Sequence, residues 1–291
     1  MAIVLAVKPF RLAHISDPHF GAHDEALVEA LPGALASLSL DATIITGDFT
    51  MAGRRSEFRR AREWIERIPE PRVVMPGNHD IPKFNHFIDR LFRPFRRYRN
   101  YIDPEVDHFL NARGVCLKAL NSSRPFGLNW DWSGGRLSLK QIRLIKESFE
   151  KAPDGAFRIV ALHHPTVAQP ENRRELVGRL DALKEALAQA QVDLVLGGHF
   201  HQSYVMSLEC GSPDHASVWN TTVSQVSTVT STRLQGEPNG FHVINLSDGY
   251  LQAERYIWAG IRYEHEETFV FRRDPEVGWR PLTAEERPPE S

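Results

Sequence analysis

Residues 12–20 read LAHISDPHF, an apolar run that ends in an aspartate and, two positions later, a histidine. Four more places repeat this arrangement. Asp48 follows TIITG, and Asn78, His79 and Asp80 follow VVMPG; His163 and His164 follow RIVAL, while His199 and His201 follow LVLGG. Each apolar run is short enough to be one buried strand, and each ends in side chains that bind metals. In open α/β sheets, ligand sites form beyond the carboxyl ends of strands, so such ends can converge on one crevice. Gly47, Gly77, Gly197 and Gly198 immediately precede the polar residues, as expected where backbone must approach a ligand closely. Taken singly, an Asp-x-His or a Gly-Asn-His-Asp is ordinary turn chemistry. The recurrence of the arrangement at successive strand ends is what points to a site.

Working outward, strand-like runs alternate with helical patterns through the first two-thirds of the chain. Strands are expected at 12–16, 42–46, 72–75, 115–120, 157–162 and 192–196, and helices at 25–38, 55–68, 83–98 (broken or kinked at Pro94), 138–151 and 171–190. The last third changes character. Residues 203–209, 216–230, 241–247, 251–259 and 266–272 alternate polar with apolar and read as antiparallel strands. The fold class is therefore α/β, with sheets covered by helices. With no internal repeat or linker, residues 1–280 read as one domain, and the Pro/Glu-rich residues 281–291 as a disordered tail.

Composition narrows the partners. The formal net charge of −2 gives no global basic field for long nucleic acid, so none is expected as a partner. Two cysteines form neither a disulfide framework nor a zinc ribbon, and no secretory leader or stretch of 18 apolar residues is present; a cytoplasmic setting is expected. The oligomeric state is not legible.

Asp17, His19, Asp48, Asn78, His163, His199 and His201 make seven candidate metal ligands. One first-row ion rarely takes so many imidazole and carboxylate donors, whereas two ions sharing one carboxylate use them well. Mixed nitrogen and oxygen donors without thiolate suit manganese, iron or zinc better than calcium or magnesium.

The series Asp17-Pro18-His19, Gly47-Asp48, Gly77-Asn78-His79-Asp80, His163 and Gly198-His199-Phe200-His201 resembles the calcineurin-like metallophosphoesterases in order and approximate spacing. The resemblance implies a four-layer sandwich of two mixed sheets flanked by helices. It also implies that Asp17, His19 and His201 bind one ion, that Asn78, His163 and His199 bind the other, and that Asp48 bridges them. His79 would protonate the leaving group, Asp80 would orient His79, and a metal-activated hydroxide would attack phosphorus. His164 would support the site or face the substrate. The short motif set most resembles the bacterial cyclic-nucleotide and glycerophosphodiester group, which implies a small phosphodiester substrate.

One segment departs from that group. Arg90, Arg93, Arg96, Arg97 and Arg99 are interleaved with Phe92, Phe95 and Tyr98. Either this is a solvated helix with inward aromatics, or residues 84–114 form a basic lid in which Arg93, Arg96 and Arg97 hold an anionic headgroup. Residues 90–99 could equally lie on a membrane or lipid surface, which keeps a lipid-linked or nucleotide-sugar pyrophosphate as the second substrate reading. Asn121 and Trp130, after the strand at 115–120, could reach the crevice rim and meet a base. A nuclease is disfavoured by the charge, and an inactive scaffold by the full set of ligand positions and His79.

Overall fold

A computed structural model describes residues 9–83, 86–126, 134–169, 176–211, 218–247 and 249–287. The first half of the chain alternates strand and helix: β1 Phe10–Ile15, α1 Glu25–Ala36, β2 Ala42–Ile45, α2 Arg55–Ile65 and β3 Arg72–Val74. Then come α3 Phe87–Phe92, α4 Arg96–Tyr101, the hairpin β4 His108–Ala112 and β5 Val115–Ala119, then α5 Leu139–Phe149, β6 Phe157–Ala161, α6 Leu180–Gln189 and β7 Leu194–Gly197. The remainder is β8 Tyr204–Cys210, β9 Trp219–Gln225, β10 Gly240–Ser247, β11 Tyr250–Trp258, β12 Tyr263–Asp274 and β13 Gly278–Pro281.

The helices begin where the side chains can satisfy their first N–H groups. Asp24 caps α1 by accepting from Ala26 N at 2.8 Å. Ser138 and Gln141 cap α5 reciprocally, at 3.1 and 3.0 Å.

The strands run in the order β3-β2-β1-β10-β11-β12-β13-β9-β7-β6-β5-β4, with β8 on β9. Two halves can be distinguished, because β13 meets β9 through the single register pair Gly278 and Asn220. Leu12 and Ile44 of one half pack with Leu117, Ile159 and Leu196 of the other, forming a core between the two sheets. A second core lies outside β1–β3, where Leu27, Leu31, Phe58, Trp64 and Tyr98 bring in α1, α2 and α4. A third lies outside β5–β7, where Ile142, Ile145, Leu183 and Leu187 bring in α5 and α6. The layers are thus helix, sheet, sheet, helix, and burying each of these aliphatic side chains stabilises by about 1.5–3 kcal/mol.

Several expectations shift. The helix anticipated from Glu171 is α6, starting at Leu180; residues 170–175 lie outside the described residues, and 177–178 are extended, with Gly178 N bonded to Gly135 O at 2.7 Å. Strand β9 ends at Gln225 instead of 230, and it runs parallel to β7. Strands β4 and β13 were not legible as strands. The disordered tail expected from Pro281 is instead structured at its start: Pro281 closes β13, and Leu282 is buried and bonded through its N–H to Val270 O. The basic segment breaks near Pro94, as expected, into α3 and α4. It is not a single lid, because Tyr98 is buried against Phe49 and residues 108–112 pair with β5.

Candidate metal centre

Strands β1, β2 and β3 are parallel neighbours in one sheet, and β6 and β7 in the other. Their carboxyl ends deliver the residues that the sequence singled out. Asp17 and His19 leave β1, Asp48 leaves β2, Asn78 follows β3, His163 follows β6, and His199 and His201 follow β7. The backbone pays a local conformational penalty to aim them. Asp17, His19, Asp48, His199 and His201 all have left-handed φ, between 48° and 72°. Each such residue costs about 1 kcal/mol or more relative to the right-handed form, and such strain concentrates at functional sites. Gly77 and Gly198 allow the loops to close: a Cβ on Gly77 would collide with the Asp48 carboxylate, and one on Gly198 with Ser16 and Asp17.

The side chains form two adjoining groups. In the first, Nε2 of His201 and of His19 lie 3.2 and 3.5 Å from Asp17 Oδ1, and 3.0 Å from each other. In the second, Asn78 Oδ1 lies 3.1 Å from both His163 Nε2 and His199 Nδ1. Asp48 stands between them, with Oδ2 at 3.6 Å from His19 Nε2 and 3.3 Å from His163 Nε2. Two donors each about 2.1 Å from a shared ion, at tetrahedral or octahedral angles, would be roughly 3.0–3.4 Å apart. The observed spacings lie in that range except the two from His19, to Asp17 at 3.5 Å and to Asp48 at 3.6 Å, which lie just beyond it.

The hydrogen bonds behind the imidazoles set their tautomers. Nδ1 of His163, His201 and His19 donates to the carbonyls of Thr46, Arg233 and Thr50, at 2.7, 2.7 and 3.3 Å. In a neutral ring this leaves the Nε2 lone pair aimed inward, the usual arrangement behind a metal-binding histidine. Asp17 Oδ1 is buried and makes no hydrogen bond. Lone pairs of His19 and His201 facing one another and a buried anionic oxygen fit a cation between them. Burial works against charge on Asp17, yet His201 and His19 hold its carboxyl well below the usual range. Burial likewise works against charge on His163, yet Asp48 overrides it and lifts the imidazole to about 9. His199 is pushed down to about 3 by burial and by His163. The donor set therefore balances its two carboxylates with protons, which a divalent cation would displace.

His79 stands beside this cluster. Its N–H donates to Asp48 Oδ1 at 2.8 Å, and its Nδ1 is 2.8 Å from Met51 O. The expected partner for its ring, Asp80, does something else. The Asp80 carboxylate accepts from the N–H groups of Phe49, Thr50 and Gly77 and from Thr50 Oγ1, so it organises the turn and reaches His79 only through the backbone. The reason is geometric: a carboxylate wrapped by three N–H groups points into the loop. Burial, with Asp48 nearby, pushes Asp80 up to about 7. Burial also lowers His79, while Asp48, not Asp80, opposes that shift.

The remaining candidates are dispersed. His164 is buried, with Nδ1 2.8 Å from Ser122 Oγ, and its ring lies 4.9 Å from that of His163 and 4.8 Å from that of His199. Asn121 uses its Oδ1 to accept from Ser123 N at 2.9 Å, which closes its own turn instead of presenting it to a base. Trp130 lies outside the described residues. Arg90 is buried and donates to the carbonyls of Pro125 and Pro82, both at 2.7 Å. Arg97 donates to Gly53 O at 2.6 Å, so it ties α4 to the loop after β2 instead of facing an anionic headgroup. Arg96 is 3.9 Å from Asp89, and Arg93 is exposed. Sequence reasoning missed the carbonyls of Thr46, Met51 and Arg233, which have no sequence signature. It also missed the Arg233 guanidinium, which lies at 3.4 Å from His79 Nε2.

Residues 10–203, two-thirds of the chain, match the model of the calcineurin-like phosphoesterase family, and the chain belongs to that family. It is a phosphoester hydrolase of a metal-dependent class, with His and Asp groups able to hold metal. Among similar proteins, the 3′,5′-cyclic adenosine monophosphate phosphodiesterase CpdA of Haemophilus influenzae is 26% identical over 89% of this chain and 90% of its own. A probable cyclic nucleotide phosphodiesterase of Synechococcus sp. is 26% identical over 67% of this chain and 74% of its own. The solved structure of PhoD shares the fold at a TM-score of 0.70 and 12% identity, covering 97% of this chain and 73% of that one.

Proposed function

We propose that this protein hydrolyses a small phosphodiester, such as a cyclic nucleotide or a glycerophosphodiester, at a two-metal centre. One observation carries the reading: Asp48 sits between two donor groups while its other oxygen holds the backbone of His79. In this reading Asp17, His19 and His201 hold one ion, Asn78, His163 and His199 the other, and Asp48 both. The donor chemistry favours manganese, iron or zinc. When bound, the metal pair would acidify a water and neutralise phosphoryl charge.

The chain's own residues do the rest. The carbonyls of Thr46, Thr50 and Arg233 keep three imidazoles in the tautomer that binds. Met51 O fixes the His79 ring, so a proton carried on its Nε2 can pass to the departing oxygen. His164 supports the pair His163 and His199 from Ser122. The free, buried thiols of Cys116 and Cys210 agree with a cytoplasmic setting. No helix among the described residues is long and apolar enough to cross a membrane.

The test is a hydrolysis screen of manganese-loaded protein against bis-p-nitrophenyl phosphate, cyclic nucleotides, glycerophosphodiesters and a UDP-linked lipid. Turnover of none of the phosphodiesters in the panel would overturn the reading. A second reading, an amphiphilic lipid-linked substrate, is favoured by one feature: α3 exposes Phe87, Ile88, Leu91 and Phe92 beside exposed Arg93 and Arg96. Preference for the UDP-linked lipid in the same screen would select it.

A further inference from the structure

We propose that Arg233 recognises the leaving-group side of the substrate and, with His79, makes the site selective for alcohol leaving groups such as a ribose or glycerol oxygen. This rests on the phosphodiesterase reading above.

The segment between β9 and β10 is strapped to the loop that follows β1. Val229 N donates to Ser16 O at 3.0 Å, Thr228 Oγ1 to Asp17 O at 2.5 Å and Thr230 Oγ1 to Pro18 O at 2.8 Å. Further along, Thr232 N donates to Ala22 O at 2.8 Å and Arg233 N to Ser231 Oγ at 3.1 Å. The carbonyl of Arg233 then accepts from His201 Nδ1 at 2.7 Å. The backbone of residue 233 is therefore held by the same loops that carry the metal donors. This explains why β9 stops at Gln225: the next residues leave the sheet to clamp the site.

From that fixed point the exposed guanidinium reaches across the site. Its Nη1 lies 3.4 Å from His79 Nε2 and 3.6 Å from Met51 Sδ. It has no salt bridge among the described residues, whereas some other exposed arginines do: Arg60 pairs with Glu25 at 2.7 Å and Arg67 with Glu29 at 2.8 Å. A cation without a carboxylate partner, set against the ring proposed to deliver the proton, is placed for a substrate group.

The chemistry follows from the position. An oxygen hydrogen-bonded to His79 Nε2, at about 2.8 Å, falls within roughly 6 Å of the Arg233 guanidinium, inside the swing of its side chain. In the hydrolytic step a bond forms between phosphorus and the attacking water oxygen. The bond to the leaving oxygen breaks with its electron pair on that oxygen, which takes the proton from His79. The proton lost by the attacking water goes to solvent. Arg233 exchanges no proton in this step. It offsets the growing negative charge, and its fork can reach both the departing oxygen and a neighbouring hydroxyl, as ribose and glycerol provide. An aryl leaving group, already stable as an anion and lacking that hydroxyl, gains less.

The experiment uses Arg233→Gln and Arg233→Lys in the full chain, loaded with manganese, alone and combined with His79→Ala. Substrates are bis-p-nitrophenyl phosphate, a cyclic nucleotide and a glycerophosphodiester, with metal content measured alongside. Because Arg233 holds His201 through its backbone, both variants should keep their metals. Arg233→Gln should lower kcat/KM about 10–100-fold on whichever alkyl diester the wild type cleaves, and several-fold less on the aryl diester. Lysine should restore part of the loss, and the combined variant should lose less than the product of the single losses. Equal losses on alkyl and aryl diesters, additive losses, or unimpaired alkyl turnover would overturn the role of Arg233 alone. A wild-type protein inactive on every diester would overturn the phosphodiesterase reading together with it.

Discussion

Replacing His79 with alanine removes the proposed proton donor. The backbone N–H of residue 79, which holds Asp48 Oδ1 at 2.8 Å, survives the change, so the carboxylate between the two donor groups stays in place. Among the contacts that disappear with the ring are its bond to Met51 O at 2.8 Å, its edge contact with His19 at 4.9 Å between centroids and its approach to Arg233 Nη1 at 3.4 Å. One such hydrogen bond is worth about 0.5–1.5 kcal/mol of stability. A positioned general acid contributes about 10²–10⁴ in rate, or roughly 2.7–5.4 kcal/mol at 1.36 kcal/mol per decade. The catalytic loss should therefore exceed the structural one several-fold. The assay is steady-state kinetics over a leaving-group series from alkoxide to p-nitrophenolate, with elemental analysis of each preparation. The expected result is full metal content, a rate on alkyl diesters lower by about 10²–10⁴, and a loss that shrinks towards p-nitrophenolate, which departs without a proton. Loss of metal, or an equal fall across the series, would mean that His79 binds an ion or only shapes the loop.

Three other outcomes can be checked. Asp48→Ala should lose both ions, because its Oδ2 faces His19 at 3.6 Å and His163 at 3.3 Å; two metals per chain by elemental analysis would refute the bridging role. Metal uptake at pH 7.5 should release at least one proton, since Asp48 keeps His163 protonated up to about 9 in the metal-free protein and a ligand must be neutral; calorimetry in buffers of different ionisation enthalpy reads the number, and zero release would contradict it. His242 is pushed down to about 3 by burial and by Arg255, against about 6.5 in an unfolded chain. A depressed folded pKa means that its stabilisation is complete above about pH 6.5 and is lost as pH falls towards 3, reaching about 2 kcal/mol at pH 5. Urea unfolding of the metal-free protein at pH 7.5 and 5 measures this loss, and His242→Gln should remove that part of the acid sensitivity.

The candidate ligand residues were legible in the sequence because each chemistry-bearing motif is local: an apolar run long enough for one strand, a glycine where a loop must close, then a donor. The same locality made α1, α2, α5 and the buried strands readable, since their periodicity and caps lie within a few residues. The order of the motifs also pointed to the family. Tertiary structure decided what depends on distant neighbours. Strand β13 is only four residues long and exists because β12 and Asn220 pair with it; β9 ends early because its continuation clamps Ser16, Asp17 and Pro18. Asp80 looked like the partner of the neighbouring His79, yet three N–H groups, two of them from the loop after β2, claim its carboxylate. Arg90 and Arg97 resembled an anion-binding run, yet backbone carbonyls at Pro82, Pro125 and Gly53 take them. Arg233, 154 positions from His79, carries no motif and is found only where the folded chain brings them together. The division has one physical cause: side-chain type and strand ends are written locally, whereas the hydrogen-bond partner of a buried group is whichever distant atom the packing of the two sheets puts within about 3 Å.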